Sequence, residues 1–449
     1  MIRRLAFGLA LALGLAMGAA AAPVEIGPDA MRRLAAGALA AENAPAALEL
    51  SRALLLRDPN DPTALMLAAE AATLTGDWPG VADYAGRAHR LVEGPARFRA
   101  ARLAAHARMR QGRFTQAQFW LRRASPDAPD AAALEGLARD YRAVAARNPL
   151  AFRLGFGVAP SSNVNGGSRA EELRLPGLPF VFELTGDAKA LSGTVFDARF
   201  GVRRSIANPA LPGPAWIDLA AEARLPRLSA SARRQAPEAK GADYARATVR
   251  AAANQRIAAE APIDLSAEVA RHWYGGDPLV DTLRLGVARP LAQTQRAIVE
   301  VSLAGEYSYR HDLDAGWWAP VGQLGFSREL AGGDRLRMLL GLRHVSGERP
   351  DLSHDAVTLN LDHDLARPVG PARIGMGIEA QWRDYAATRY DMGGRQDREL
   401  QAELRVGLPQ TARWSFYPEL GLTARRSWSS VPLFEEQALT LELGLRSSF

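Results

Sequence analysis

With seven histidines and no cysteine, this 449-residue chain has a narrow choice of chemistry. Lacking a thiol, it can form no disulfide, thiolate metal site or cysteine nucleophile, and it carries no acylated cysteine, so it is not itself a lipoprotein. His311, His344, His354 and His363 lie in the second half, with Ser346 and Asp355 close to two of them. A serine hydrolase needs serine, histidine and an orienting polar group within hydrogen-bond reach. No nucleophile motif frames these serines, the histidines show no metal-ligand spacing, and no phosphate-binding loop occurs. The expectation is a chain without catalytic residues, metal or cofactor.

Two other groups of polar residues carry a positional pattern. Asn163 and Asn165 close the run Pro160-Ser161-Ser162-Asn163-Val164-Asn165. Short amides satisfy backbone groups where a strand ends, so turn formation is one reading and a gating role the other. Arg395 and Asp397 are two apart, hence on one face of a strand. Together with Glu399 they read as an internal Arg–carboxylate network that pins a loop, or as a contact for a transported molecule.

The elements that must position these residues are strands. In the second half apolar and polar residues alternate: Leu400, Ala402, Leu404, Val406 and Leu408 against Glu399, Gln401, Glu403, Arg405 and Gly407. One aliphatic and one charged face, repeated over about 300 residues from Asn148, suits a wall between lipid and a polar lumen. The alternation divides into fourteen strands, beginning with 152–160 and 191–204, with a fourth at 242–257 and a last at 437–449. Ala331-Gly332-Gly333, Pro368-Val369-Gly370 and Gln410-Thr411 read as tight turns after even strands. The first odd connection is long, as is the one before Arg395. Short turns belong to the periplasm and long loops to the outside. In the last strand Leu441, Leu443 and Leu445 alternate with polar residues towards Phe449, and this apolar ending resembles the terminal signal read by the barrel-assembly machinery.

From Gly27 to about Tyr141 the period is that of helices. Asn43-Ala44-Pro45 corresponds to Gly76-Asp77-Trp78 and to Gly112-Arg113-Phe114, and Pro62, Pro95 and Pro129 mark unit boundaries where proline stops a helix. This resembles the tetratricopeptide repeat, in which helical hairpins stack because none buries its own apolar face. Either a rigid spacer or a protein-binding groove fits.

Arg3, Arg4, the apolar run from Leu5 to Met17 and the alanines Ala19 to Ala22 have the layout of a cleavable signal peptide, with the cut expected after Ala21. The net charge of +6 comes from scattered arginines, which argues against nucleic-acid binding. The expected organisation is signal peptide 1–21, periplasmic helical repeats 22–147 and an outer-membrane β-barrel 148–449: α+β and multidomain.

Three local patterns add a family resemblance. They are Asn148-Pro149 followed by the strand ending in Pro160 to Asn165; Arg395 with Asp397; and Tyr417-Pro418, Arg425-Arg426-Ser427-Trp428-Ser429-Ser430 and Phe434 leading to Leu441-Glu442-Leu443 and Phe449. Together they resemble the surface lipoprotein assembly modulators. The resemblance implies tetratricopeptide repeats, a fourteen-stranded barrel, and movement of a surface lipoprotein, or a secreted haem- or metal-acquisition protein, across the outer membrane. Partners would be that exported protein, the barrel-assembly machinery and membrane lipid. Ser429-Ser430 departs from the family's frequent Ser-Asn. The alternatives are an exopolysaccharide exporter, which usually carries more repeats, and a porin or outer-membrane enzyme.

Overall fold

The computed structural model describes residues 26–175, 179–206, 210, 212–257, 260–388, 390, 393–414 and 416–447. The expected signal peptide and Phe449 lie outside the described residues. Contacts divide the chain into two compact units. One runs to Trp120 with Asp127–Pro129; the other comprises Leu121–Pro126 and Asp130 onward.

Consecutive α-helices occupy the helical half: α1 (Pro28–Ala40), α2 (Ala44–Arg57), α3 (Pro62–Thr75), α4 (Trp78–Leu91), α5 (Gly94–Arg110), α6 (Phe114–Ala124) and α7 (Ala131–Arg147). Alanine dominates the buried face of the first unit. Ala68, Ala71, Ala72 and Ala107 are closed from solvent around Leu48 and Val81, because small side chains let neighbouring helices approach closely. Each hairpin turn passes through one left-handed residue, Glu42, Gly76 or Gly112.

The prolines correct one expectation. Pro62 and Pro95, expected as stops to the helix before, sit in the first turn of the helix that follows, as Pro45 and Pro79 do, while Pro129 precedes the Asp130 cap of α7. A first-turn N–H has no partner within its helix, so proline loses nothing there and its fixed φ favours the start. Asp61 caps α3 by accepting from the Thr63 and Ala64 amides, both at 3.0 Å. It also binds Arg32 of α1 at 2.8 Å, joining first and second hairpins.

The second unit is a closed antiparallel barrel of fourteen strands. They are β1 (Leu150–Ser161), β4 (Gly193–Ile206), β5 (Ala215–Leu228), β6 (Arg246–Ile257), β7 (Ile263–Tyr274), β8 (Asp277–Gln293) and β9 (Ala297–Arg310). The remainder are β10 (Ala315–Glu329), β11 (Arg335–Gly347), β12 (His354–Asp364), β13 (Arg373–Tyr385), β14 (Arg395–Gly407), β15 (Phe416–Ser429) and β16 (Glu436–Ser447). A short ribbon, β2 (Glu172–Arg174) with β3 (Val181–Glu183), lies in the first connection, and a helix, α8 (Ala230–Gln235), in the third connection between barrel strands. Strands of 11 to 17 residues meet or exceed the roughly 9–11 needed to cross a bilayer. Closure also excludes a sandwich, since every strand finds a partner on both sides.

Exposure is inverted relative to a water-soluble core. Leu404, Leu422 and Leu441, adjacent across β14, β15 and β16, point outward and are more than a third exposed. Asp197, Glu306, Asp397 and Ser427 are buried on the inner side. An apolar exterior around a charged interior is the pattern of an outer-membrane barrel.

Two sequence expectations change. The fourth strand begins at Arg246, because residues 241–244 form a 3-10 turn capped by Lys240 and Asp243. The connections do not separate into short even and long odd ones throughout. Gly275-Gly276, an odd connection, is a two-residue hairpin, whose φ values of 63° and 101° are open to glycine at little cost. Extra length is concentrated in 162–192 and 229–245, at one barrel end, called here the loop end. The strand β1 begins, and β16 finishes, at the opposite, terminal end.

Candidate functional site

The first connection folds back on the end of β1, and its asparagines do the tethering. The Asn163 amide nitrogen donates to the Gly167 carbonyl at 2.9 Å, and its oxygen accepts from the Gly167 amide at 3.0 Å. Asn165 donates to the Asp187 and Lys189 carbonyls at 2.7 and 3.0 Å and accepts from the Leu191 amide at 2.8 Å. Both side chains are buried, so each replaces water for backbone groups that strand pairing no longer reaches. Ser161 accepts from Thr440 of β16 at 3.0 Å, and Ser162 accepts from the Leu439 amide at 2.9 Å. Pro160 faces outward beside them. The motif is therefore a structural clasp at the loop end.

A second layer closes over it. Val164, Leu191, Val195, Leu228, Ala232 and Tyr244 pack together beneath the first and third connections. The Tyr244 hydroxyl donates to Asp187 at 3.2 Å. Burial, reinforced by that carboxylate, pushes its phenol up to about 12.

Arg395 and Asp397 meet on the lumen side of β14, with Nε and Oδ2 3.2 Å apart. The Arg395 guanidinium lies between the rings of Tyr385 and Phe434, 3.9 Å from each centroid. Phe434 contacts Tyr390 edge-on, and both pack against the buried Leu173, Leu184 and Val431. One cation thus anchors three connections. Asp397 also accepts from Ser429 at 2.7 Å, while Ser430 accepts from the Gln396 amide at 3.0 Å. The Ser-Ser pair has a definite task at the top of the wall.

Below this cap the lumen is a lattice of arginine and carboxylate. Arg425 reaches Glu436 at 2.6 Å and Glu399 at 3.9 Å, and Arg383 comes within 3.8 Å of Glu399. Arg343 binds Glu306 at 2.5 Å, and Arg405 spans Glu403, Asp362 and Asp364. Two polar cavities, about 260 and 350 Å³, border on Asp197, Arg199 and Glu442.

The histidines are dispersed. His344 binds Asp355 at 2.7 Å on the outward face, with both side chains more than half exposed. His354 approaches the Leu352 carbonyl, and His311 approaches Asp281. Ser346 shares no hydrogen bond with His344 or Asp355 among the described residues, nor do three or more His, Asp or Glu gather as metal ligands there.

Sequence reasoning found the asparagines, Arg395 with Asp397, and the outward leucines; Leu441, Leu443 and Leu445 are each about half exposed. It missed Tyr385 as the second face of the arginine sandwich and Tyr244 as the post of the cap. Both lie at strand or loop ends, where alternation carries no signal.

No family model matches this chain, and no curated protein does. Solved structures match each half. The helical part is similar to the TPR2B domain of yeast Sti1, at 15% identity and a TM-score of 0.25, over 27% of this chain and 98% of that one. The barrel is similar to a BenF-like porin from Pseudomonas fluorescens Pf-5, at 8% identity and 0.36, over 66% and 98%. It is also similar to a bacterial polysaccharide outer-membrane secretin, at 11% and 0.30, over 66% and 98%. These likenesses concern fold alone.

Proposed function

We propose that this protein is an outer-membrane translocon that moves a partner protein, a surface lipoprotein or a secreted haem- or metal-acquisition protein, from the periplasm to the cell surface. The observation that carries the reading is the union of a helical-repeat unit with a barrel of charged, cavity-bearing lumen in one chain. A diffusion pore needs no recognition module, whereas stacked helical hairpins present an extended face to a partner. The resemblance at Pro160 to Asn165, at Arg395 with Asp397, and along the last strands supports the same reading.

In this scheme the repeats face the periplasm and hold the partner there. The cap at the loop end, held by Asn163, Asn165, Tyr244 and Arg395, keeps the resting barrel closed. The periplasm holds no nucleotide supply, so the step is drawn forward by the partner folding outside, and its return would require unfolding against several kcal/mol.

The test is export in a heterologous host. The chain is co-expressed with the exported protein encoded beside it, and the partner's exposure to added protease is measured on intact cells. Exposure that depends on this chain supports the reading. Equal exposure with and without it overturns the reading and favours polysaccharide export.

A further inference from the structure

On the lipid-facing side of β14 and β15 stand two adjacent arginines. Arg398 is in register with Trp382 of β13 and with Trp428 of β15, so a Trp–Arg–Trp row crosses three strands. Arg426 faces the same way from β15, opposite Leu400 and diagonal to Arg398. Alternation fixes the direction: Leu400, Leu404, Leu422 and Trp428 share these two faces and are each at least 40% exposed. The Arg426 guanidinium lies over the Trp428 ring, 5.1 Å from its centroid, and its Nε is shut off from solvent without a hydrogen-bond partner.

Both arginines are fourth from the loop-end limit of their strands. Elsewhere at this height the outward face matches its charges: Arg271 binds Asp281 at 2.6 Å, and His344 binds Asp355 at 2.7 Å. The lumen arginines of the same two strands, Arg395, Arg405 and Arg425, also have carboxylate partners. Arg398 and Arg426 join no ion pair among the described residues. Asp384, the nearest outward carboxylate by register, stands one row further out on β13, opposite Gln396. Like charges on neighbouring strands repel, and a cation facing lipid is costly unless its charge is taken up. An anion between the two guanidinium groups relieves both.

Beside Arg426 the outer wall is hollowed. A groove of about 750 Å³ is walled by Phe196, Leu422, Leu439 and Leu441, and Arg227 also lines it. Leu439 lies one row below Arg426, opposite Ala424. The groove thus offers acyl chains an apolar bed that begins at the arginines. Guanidinium forks hold phosphate oxygens in pairs. Diagonal neighbours across strands stand about 7–8 Å apart, so both side chains reach one phosphate. Tryptophans mark the level of the headgroups.

We propose that Arg398 and Arg426, flanked by Trp382 and Trp428, bind the phosphate of a phosphorylated glycolipid of the outer leaflet, with its acyl chains in the groove along Leu422, Leu439 and Leu441. From the export reading the inference takes only that the loop end faces outward. It is indifferent to what crosses the lumen. The outer leaflet presents this phosphate on sugar rings, whose flat apolar faces suit the two indoles.

The full-length protein in detergent is titrated with diphosphorylated lipid A and followed by native mass spectrometry, with dephosphorylated lipid A and phosphatidylglycerol as comparisons. The diphosphorylated lipid should bind at least about tenfold more tightly than either, since it alone joins phosphate to the glycolipid. Arg398→Gln/Arg426→Gln should lose that margin. Arg289→Gln/Arg328→Gln, which alters two outward arginines near the terminal end, should keep it. Heat-modifiable mobility verifies assembly of each variant. A photo-crosslinking residue at Gln437, opposite Arg426, tests the site with both arginines in place and should yield a lipid A adduct. Equal binding by the Arg398/Arg426 variant overturns the proposal, as do equal binding of either comparison lipid and absence of the adduct at Gln437. Partner exposure on intact cells is read separately. A chain that fails to hold lipid A yet exports its partner refutes this inference alone, and one that holds lipid A yet exports nothing refutes the export reading alone.

Discussion

Asn163, just past the end of β1, donates its side-chain amide to the main-chain carbonyl of Gln437 on β16 at 3.3 Å. The same side chain exchanges two bonds with Gly167, so one residue ties the first connection to both terminal strands. Asn163→Ala leaves buried backbone groups unpaired at about 1–3 kcal/mol each. The expected outcome is an assembled barrel with residues 162–192 open to protease and a larger conductance in planar bilayers. Conductance and cleavage equal to the unaltered chain would remove Asn163 from the cap.

Arg395 works through shape as well as charge. Its flat guanidinium stacks on two rings at once, which an ammonium does not reproduce. At about 0.5–2 kcal/mol per cation–π contact, both Arg395→Lys and Arg395→Ala should free the 386–394 and 430–435 connections, with barrel assembly preserved. Limited proteolysis followed by mass mapping reads this. A lysine variant as resistant as the unaltered chain would show that charge alone suffices.

Tyr244 gives the cap an alkaline limit. Its phenol is held up to about 12, above its usual value near 10, by burial and Asp187. A raised folded value favours the neutral form, so its contribution is complete below pH about 10 and declines as pH rises towards 12. Proteolysis of the first and third connections should therefore increase across that interval. Tyr244→Phe keeps the packing and should flatten the dependence; an unchanged slope would assign it to other groups.

Asp61 sets an acid limit on the helical unit. Burial raises its carboxyl, but the Ala64 amide and Arg32 outweigh that and hold it below the ordinary carboxylate range. With a depressed folded value, its stabilisation is present above pH about 4 and is lost as pH falls through the folded value. Losing the cap altogether, in Asp61→Ala, should cost about 1 kcal/mol. Asp61→Asn retains the cap acceptor and should show weaker acid dependence of the helical circular-dichroism signal. Identical acid melting of the unaltered and Asn chains would exclude Asp61.

Truncation separates recognition from the barrel. A chain starting at Asp130, behind an export signal, keeps α7 and every strand of the barrel unit. It should insert and show heat-modifiable mobility but lose partner export. Failure to insert would mean that the removed helices are needed for assembly.

The walls of this protein were legible in its residues. Period-two alternation is a local property, so Leu400, Leu404, Leu441, Leu443 and Leu445 announced a lipid-facing side, and fourteen strands could be counted before any contact was known. The hairpin turns at Gly76 and Gly112 were equally local, because left-handed backbone favours glycine. Chain closure, by contrast, joins residues almost 300 apart. No local pattern states that Gly157 meets Gly444, or that Ser161 meets Thr440. Nor does spacing reveal that Arg395 enters a gap between Tyr385 and Phe434, or that Tyr244 reaches Asp187. These depend on how curved walls bring connections together over one end of the barrel. The sequence alone determined which side of each strand faces lipid, since solvent preference acts residue by residue. Only the tertiary structure decided where the barrel is tied shut, since that depends on which backbone groups find partners after closure.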